Sequence, residues 1–122
     1  LLLTGDFNIA PRDEDVWDIE AFRGKTHVTE PERAAFQMLE EAGLEEVTRR
    51  FTEDQRYTYF DYKGMRFQKN EGMRIDFQLA SAPLAQHVTG AQVDLLERAG
   101  DKTSDHCPLL ADYDLPDFDS VK

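Results

Sequence analysis

Between positions 73 and 79 the chain alternates without a break. Met73, Ile75, Phe77 and Leu79 are apolar, and Arg74, Asp76 and Gln78 between them are polar. Successive side chains of a strand point to opposite faces, so this run predicts a β-strand with one face in a core and the other lined by hydrogen-bonding groups. A strand cannot stand alone, because its N–H and C=O groups need partners. Further strands are predicted at Leu1–Leu3, a fully apolar and therefore buried run, at Tyr57–Asp61, more weakly at Val88–Leu96, and at Pro108–Tyr113. One helix is clearly marked. Thr29-Glu30-Pro31-Glu32 has the form of a capping box with proline in the first turn, and Ala35, Met38, Leu39 and Ala42 repeat at helical spacing up to the stop at Gly43. Pro83 predicts a helical turn, as does the stretch from Asp13 to Trp17. Strands with one good helix make an α/β chain: one mixed or antiparallel sheet with helix on one face.

The length of 122 residues suits a single domain, and 40% hydrophobic residues are enough for a core. No apolar run is long enough to cross a membrane, and Leu1-Leu2-Leu3 is too short, and lacks the basic flank, to be a signal sequence. The chain opens without methionine on an apolar strand, so a segment upstream is expected. A single cysteine, Cys107, excludes an internal disulfide and a thiolate metal cluster, and suits a reducing compartment such as the cytoplasm.

The formal net charge of −11 has the wrong sign for a nucleic-acid surface, but it is unevenly spread. Residues 49 to 74 carry seven cations (Arg49, Arg50, Arg56, Lys63, Arg66, Lys69, Arg74) against four acids (Glu53, Asp54, Asp61, Glu71), a local +3, so the rest carries −14. Tyr57, Tyr59, Phe60 and Tyr62 are interleaved with those cations. Such a segment either holds a polyphosphate and stacks on bases, or is a solvated hairpin whose aromatics fill a core.

Three polar clusters sit where strands begin or end: Gly5-Asp6-Phe7-Asn8, Arg74-Ile75-Asp76-Phe77 and Ser104-Asp105-His106-Cys107-Pro108. Each has an ordinary reading alone: an Asx-turn, an exposed strand residue, a turn with a structural histidine. Together they supply carboxylates, an amide and an imidazole, which is what cleaving a phosphodiester with a hard cation requires. Mg²⁺ prefers oxygen ligands, accepts one or two protein carboxylates and offsets charge on the phosphate, while an imidazolium held by a carboxylate can donate to a non-bridging oxygen. No zinc-type cysteine and histidine spacing competes with this reading.

In order and content these clusters resemble the C-terminal signatures of the endonuclease/exonuclease/phosphatase superfamily. Tyr57-Thr58-Tyr59-Phe60-Asp61-Tyr62 and Asp6-Phe7-Asn8-Ile9-Ala10-Pro11 resemble its exodeoxyribonuclease III and apurinic/apyrimidinic endonuclease branch. The resemblance spans nearly the whole chain. It implies that residues 1–122 are the C-terminal half of a domain about twice as long, half of a four-layer α/β/β/α sandwich. The upstream half would supply an asparagine, the main metal-binding glutamate and a tyrosine.

It further implies roles for residues here. Asp6 activates the attacking water, Asn8 holds phosphate or water, Asp76 fixes the tautomer of His106, and His106 contacts the scissile phosphate. Asp105 sits at the metal, with Asp6 and Asn8 as further candidates. Tyr59 and Phe60 match aromatics lining an abasic-sugar pocket, Tyr59 standing where bacterial relatives often have tryptophan and Met73 where some carry another aromatic. Asn70 and Arg74 are implied as DNA-backbone contacts. The implied cofactor is Mg²⁺, with Mn²⁺ able to substitute. The implied partner is double-stranded DNA with abasic sites or 3′ ends, cut in the cytoplasm alongside the nucleoid.

Two other readings remain open. The chain by itself is an inactive module that homodimerises through its sheet face, or the superfamily motifs serve a phosphoesterase acting on inositol phosphates, sphingolipid or DNA without specificity. His27 and His87 lie outside every motif and read as surface or loop residues, Cys107 as a small buried apolar group, and Trp17 as a core anchor.

Overall fold

The computed structural model describes residues 1–62, 65–99 and 104–115. In chain order it contains β1 (Leu2–Asp6), α1 (Ile19–Phe22), α2 (Glu30–Glu41), β2 (Leu44–Glu46), β3 (Asp76–Ser81), α3 (Ala82–Ala85), β4 (Val88–Val93), α4 (Leu95–Ala99) and β5 (Leu109–Tyr113), with 3₁₀ turns at Asp13–Asp15 and Arg49–Phe51. β3 is central, flanked antiparallel by β1 and β2, while β4 and β5 form a separate antiparallel ladder.

The alternation in β3 works as the sequence requires. Phe77 and Leu79 are fully buried against Phe36 of α2, with Phe7, Ile9, Leu39 and Leu44 around them. The opposite face is buried as well, which is why its polar groups are hydrogen-bonded. Gln78 donates to the Leu109 carbonyl and accepts from the Tyr113 hydroxyl, tying the two sheets together. Ala80 joins Val47, Ala85 and Val88 in a second cluster.

The strand is shorter than predicted. Met73 lies in isolated bridges with Val16 and Tyr59, and β3 begins only at Asp76. The strand expected at Tyr57–Asp61 is not a ladder. The amides of Thr58 and Tyr59 both donate to the Met73 carbonyl, at 2.8 and 3.0 Å, so regular pairing ends there. Close approach explains the geometry. A Cβ at Gly72 would lie 2.7 Å from the Tyr59 carbonyl oxygen and 2.7 Å from the Phe60 ring. β4 ends at Val93, and the expected extension through Leu96 is the start of α4.

β1 forms as expected but is not buried. Leu2 and Leu3 are 40% and 39% exposed, because among the described residues β1 has a neighbour on one side only.

In α2, Thr29 caps the helix by accepting from the Glu32 amide. The Glu32 carboxylate in turn accepts from the Thr29 hydroxyl and the His27 amide.

An ion pair fastens the loop after β1. Asp15, 1% exposed, receives two bonds from the Arg49 guanidinium, at 2.6 and 2.9 Å, and one from the Arg12 amide. The next links run to the lead-in of β3: Arg74 N donates to Asp15 O, and Trp17 N to Gly72 O.

Candidate active site

The site forms where strand ends meet. The β1–β3 register sets Asp6 opposite Asp76. A third segment is held against them by Thr58: its amide donates to Met73, its carbonyl accepts from Cys107, and its hydroxyl oxygen accepts from the amides of Ile75 and Asp76, each at 3.1 Å. Phe60 N donates to Asp105 O, and Tyr59 bridges to His106. The third cluster therefore arrives beside the first two although it is distant in sequence.

The His106 ring lies between carboxylates. Nδ1 is 2.8 and 3.1 Å from the two oxygens of Asp76, and Nε2 is 3.4 Å from Asp6 and 3.9 Å from Asp105. A carboxylate only accepts, so Nδ1 carries a proton and Nε2 faces the open side. Burial alone would lower the imidazole pKa. The hydrogen bond and charge of Asp76, aided by Asp6 and Asp105, outweigh burial, and the net shift is upward. Burial pushes the Asp76 carboxyl up, opposed by bonds from His106 and Thr58. Tyr59 stands against the imidazole with ring centroids 5.2 Å apart, and burial raises its phenol pKa.

Asn8 takes a left-handed backbone, φ 53°, because its amide turns back to the Asp6 carboxylate at 2.8 Å. The Asx-turn is therefore real, and it also leaves one Asp6 oxygen directed to His106. Asp6, Asp76 and His106 each offer a ligand atom within 4.8 Å of one another, an acidic group able to hold a metal ion. Asp76 is engaged by His106, whereas Asp6 and Asp105 keep partly exposed carboxylates. Three carboxylates around one imidazole leave negative charge uncompensated, and oxygen donors of this kind suit a hard divalent cation.

Other expected site residues lie elsewhere. Phe60 is 2% exposed and packs with Val93, Cys107 and Phe67; it borders the cleft beside Tyr57 and Leu95 and not the cavity lined by Tyr59. Arg74 is 1% exposed; it donates to the hydroxyls of Thr48 and Thr52 and to the Arg56 carbonyl, so its guanidinium serves the interior instead of a DNA backbone. Arg49 is likewise engaged by Asp15, which reduces the positive charge that residues 49 to 74 present outward. Asn70 lies on an exposed loop at φ 56°, beside a separate cleft with Tyr57 and Leu95. Lys63 lies outside the described residues.

Tyr59 does line a cavity of about 330 Å³, together with Trp17, Phe22, His27, Arg66 and Met73 among others. One of these was read differently in the sequence. Trp17 is half-exposed beneath the Arg66 guanidinium, not in the core. His27 is half-buried, with φ 80°, and its Nδ1 donates to the Asn8 carbonyl at 2.7 Å. No motif marks His27; only the fold brings it beside Asn8.

A carboxylate-held imidazole thus stands at the ends of antiparallel strands, with acidic groups on its open side. The chain belongs to the Endonuclease/Exonuclease/phosphatase family, whose model matches residues 1–106. It is 36% identical over 121 residues to exodeoxyribonuclease III of Haemophilus influenzae, covering 93% of this chain and 45% of that protein. The structure of a Neisseria 3′ phosphatase bound to a product DNA hairpin matches with TM-score 0.88 and 41% identity, over 94% of this chain and 45% of that one. An AP endonuclease from Archaeoglobus fulgidus matches with TM-score 0.86 and 31% identity, over 93% of this chain and 45% of that one. The chain thus spans less than half the length of these relatives.

Proposed function

We propose that these residues are the C-terminal half of a Mg²⁺-dependent DNA-repair nuclease. The enzyme hydrolyses duplex DNA 5′ to abasic sites and removes nucleotides from 3′ ends, in the cytoplasm beside the nucleoid. The observation that carries the reading is the convergence of Asp6, Asp76 and Asp105 on His106. The names of the relatives, an exodeoxyribonuclease, a 3′ phosphatase and an AP endonuclease, agree with it.

Asp6 and Asp105 would hold the metal, with Asn8 nearby; when bound, Mg²⁺ offsets charge on the phosphate and the departing oxygen. Asp76 keeps the Nδ1 proton of His106 in place. The protonated Nε2 then donates to a non-bridging phosphate oxygen, a donor aimed where charge grows. Asp6, on the open side of the ring, orients the water. Tyr59 walls the pocket for the extruded sugar, and an abasic nucleotide is the easier one to extrude because nothing has to be unpaired.

The test is cleavage by the full natural polypeptide containing these residues, with Mg²⁺ or Mn²⁺, on duplexes bearing an abasic site, a 3′-phosphate or a plain recessed 3′ end. Loss of cleavage in His106→Ala and Asp6→Asn supports the reading. Cleavage unchanged in both, or hydrolysis of a phosphoinositide but no DNA, overturns it.

The exposed Leu2 and Leu3 on β1, which has a strand neighbour on one side only among the described residues, favour a second reading for the 122 residues in isolation: inactive and self-associating through this sheet. A clean monomer in sedimentation contradicts that.

A further inference from the structure

The cavity beside Tyr59 contains groups that the hydrolytic chemistry does not use. The Arg66 guanidinium lies over the Trp17 ring, 4.7 Å from its centroid, and Phe22 meets Trp17 edge-on at 6.4 Å. Glu71 pairs with Arg66 through one oxygen at 3.2 Å, while its other oxygen, Oε1, is buried and has no hydrogen-bond partner. Lys25 also lines the cavity. A buried acceptor without a donor is costly, and native proteins seldom leave one unless something supplies the missing hydrogen.

We propose that this cavity is a nucleobase subsite: the base of the nucleotide next to the scissile phosphate stacks on the Trp17–Arg66 platform and donates an N–H to Glu71. This rests on the nuclease reading and deepens it, since it makes a base-bearing nucleotide, and not only a base-free sugar, a fitted substrate. Three features select a base over other ligands. The platform is flat and cationic, and guanidinium planes and aromatic rings both stack on bases. The buried unpartnered acceptor, Glu71 Oε1, matches the exocyclic amino or ring N–H that every base carries in some form. Tyr59 lines the cavity and its ring stands edge-on to His106 at 5.2 Å, so a nucleotide with its phosphate at the imidazole would have this cavity beside it. A volume of about 330 Å³ is at the small end of ligand pockets, which are roughly 300–1,000 Å³. A bare deoxyribose would leave the platform and Glu71 Oε1 untouched.

Trp17 lies outside the buried clusters, so its replacement leaves the core intact. The full polypeptide is assayed on two duplexes that differ only in whether the 3′-terminal nucleotide carries its base. Trp17→Ala is expected to raise KM for the base-bearing end by roughly 5- to 100-fold, the range that loss of one stacked base produces, and to raise it far less for the base-free end. Trp17→Phe and Glu71→Gln, which keep a ring and an acceptor, should retain most of the preference, and Glu71→Leu should not. Equal losses on both duplexes overturn the proposal.

A binding arm needs no turnover. Equilibrium binding of dCMP and of deoxyribose 5-phosphate is compared in wild type and Trp17→Ala. Weaker dCMP binding alone supports the subsite even if neither duplex is cut, in which case it is the nuclease reading that has failed. Identical dCMP affinity in the two proteins sinks the subsite whatever the nuclease does.

Discussion

Replacing Thr58 by valine removes one oxygen from beneath the site and changes the side-chain shape little. That oxygen accepts from the amides of Ile75 and Asp76, both at 3.1 Å, and Thr58 is fully buried, so water cannot substitute for it. An orphaned buried donor costs about 1–3 kcal/mol. The two amides share one acceptor, so the bonds are not independent, and the expected loss is about 2–4 kcal/mol. Against a total stability of about 5–15 kcal/mol this is a large fraction. Thr58→Ser keeps the oxygen and removes one methyl group, for about 1 kcal/mol. Urea denaturation of the full polypeptide separates the two: valine should lower the midpoint well below serine, with the slope of the transition unchanged. Because the same hydroxyl also bonds the Asp76 side chain, Thr58→Val should reduce turnover more than Thr58→Ser. A valine variant within about 0.5 kcal/mol of wild type, the usual scatter of a neutral substitution, refutes the reasoning.

Two further substitutions probe the scaffold. Gly72→Ala drives a methyl group to 2.7 Å from the Tyr59 carbonyl oxygen and 2.8 Å from the Tyr57 Cβ, so it should cost about 1–3 kcal/mol in a thermal melt. Arg49→Met strands the buried Asp15 carboxylate and should cost about 3–5 kcal/mol, with Asp15→Leu/Arg49→Met closer to wild type than the sum of the single changes; strict additivity in the double-mutant cycle would contradict a coupled pair.

The sequence made the chemistry more legible than the scaffold beneath it. Short polar words at strand ends are local signals, so Asp6, Asp76, Asp105 and His106 could be singled out without knowing how the chain turns. The helix at Glu30–Glu41 was legible for the same reason, since its cap and stop lie within one stretch. What could not be read was set by distant contacts. Arg74 sits in a strand-like pattern that suggests an outward polar face, but Thr48 and Thr52 cover that face. Phe60 and Tyr59 are neighbours with opposite fates: Phe60 packs inward with Val93 and Cys107, which are distant in sequence, while Tyr59 stands against His106. The apolar start of the chain signalled a strand correctly but not its exposure, because burial depends on what packs against it. His27 carries no motif, and its place beside Asn8 comes from the turn that leads into α2.

The central claim is that one imidazole is held among three carboxylates. It is tested most directly by following the ring nitrogens of His106 by NMR through a pH titration, in wild type, Asp76→Asn and Asp6→Asn. A pKa above the ordinary value of 6.5, falling in both variants and most in Asp76→Asn, is the predicted result. Stability should follow with the matching sign: the contribution from His106 is complete below pH 6.5 and is lost as pH rises through the higher folded value. An imidazole that titrates at its ordinary value and ignores both substitutions would contradict the account.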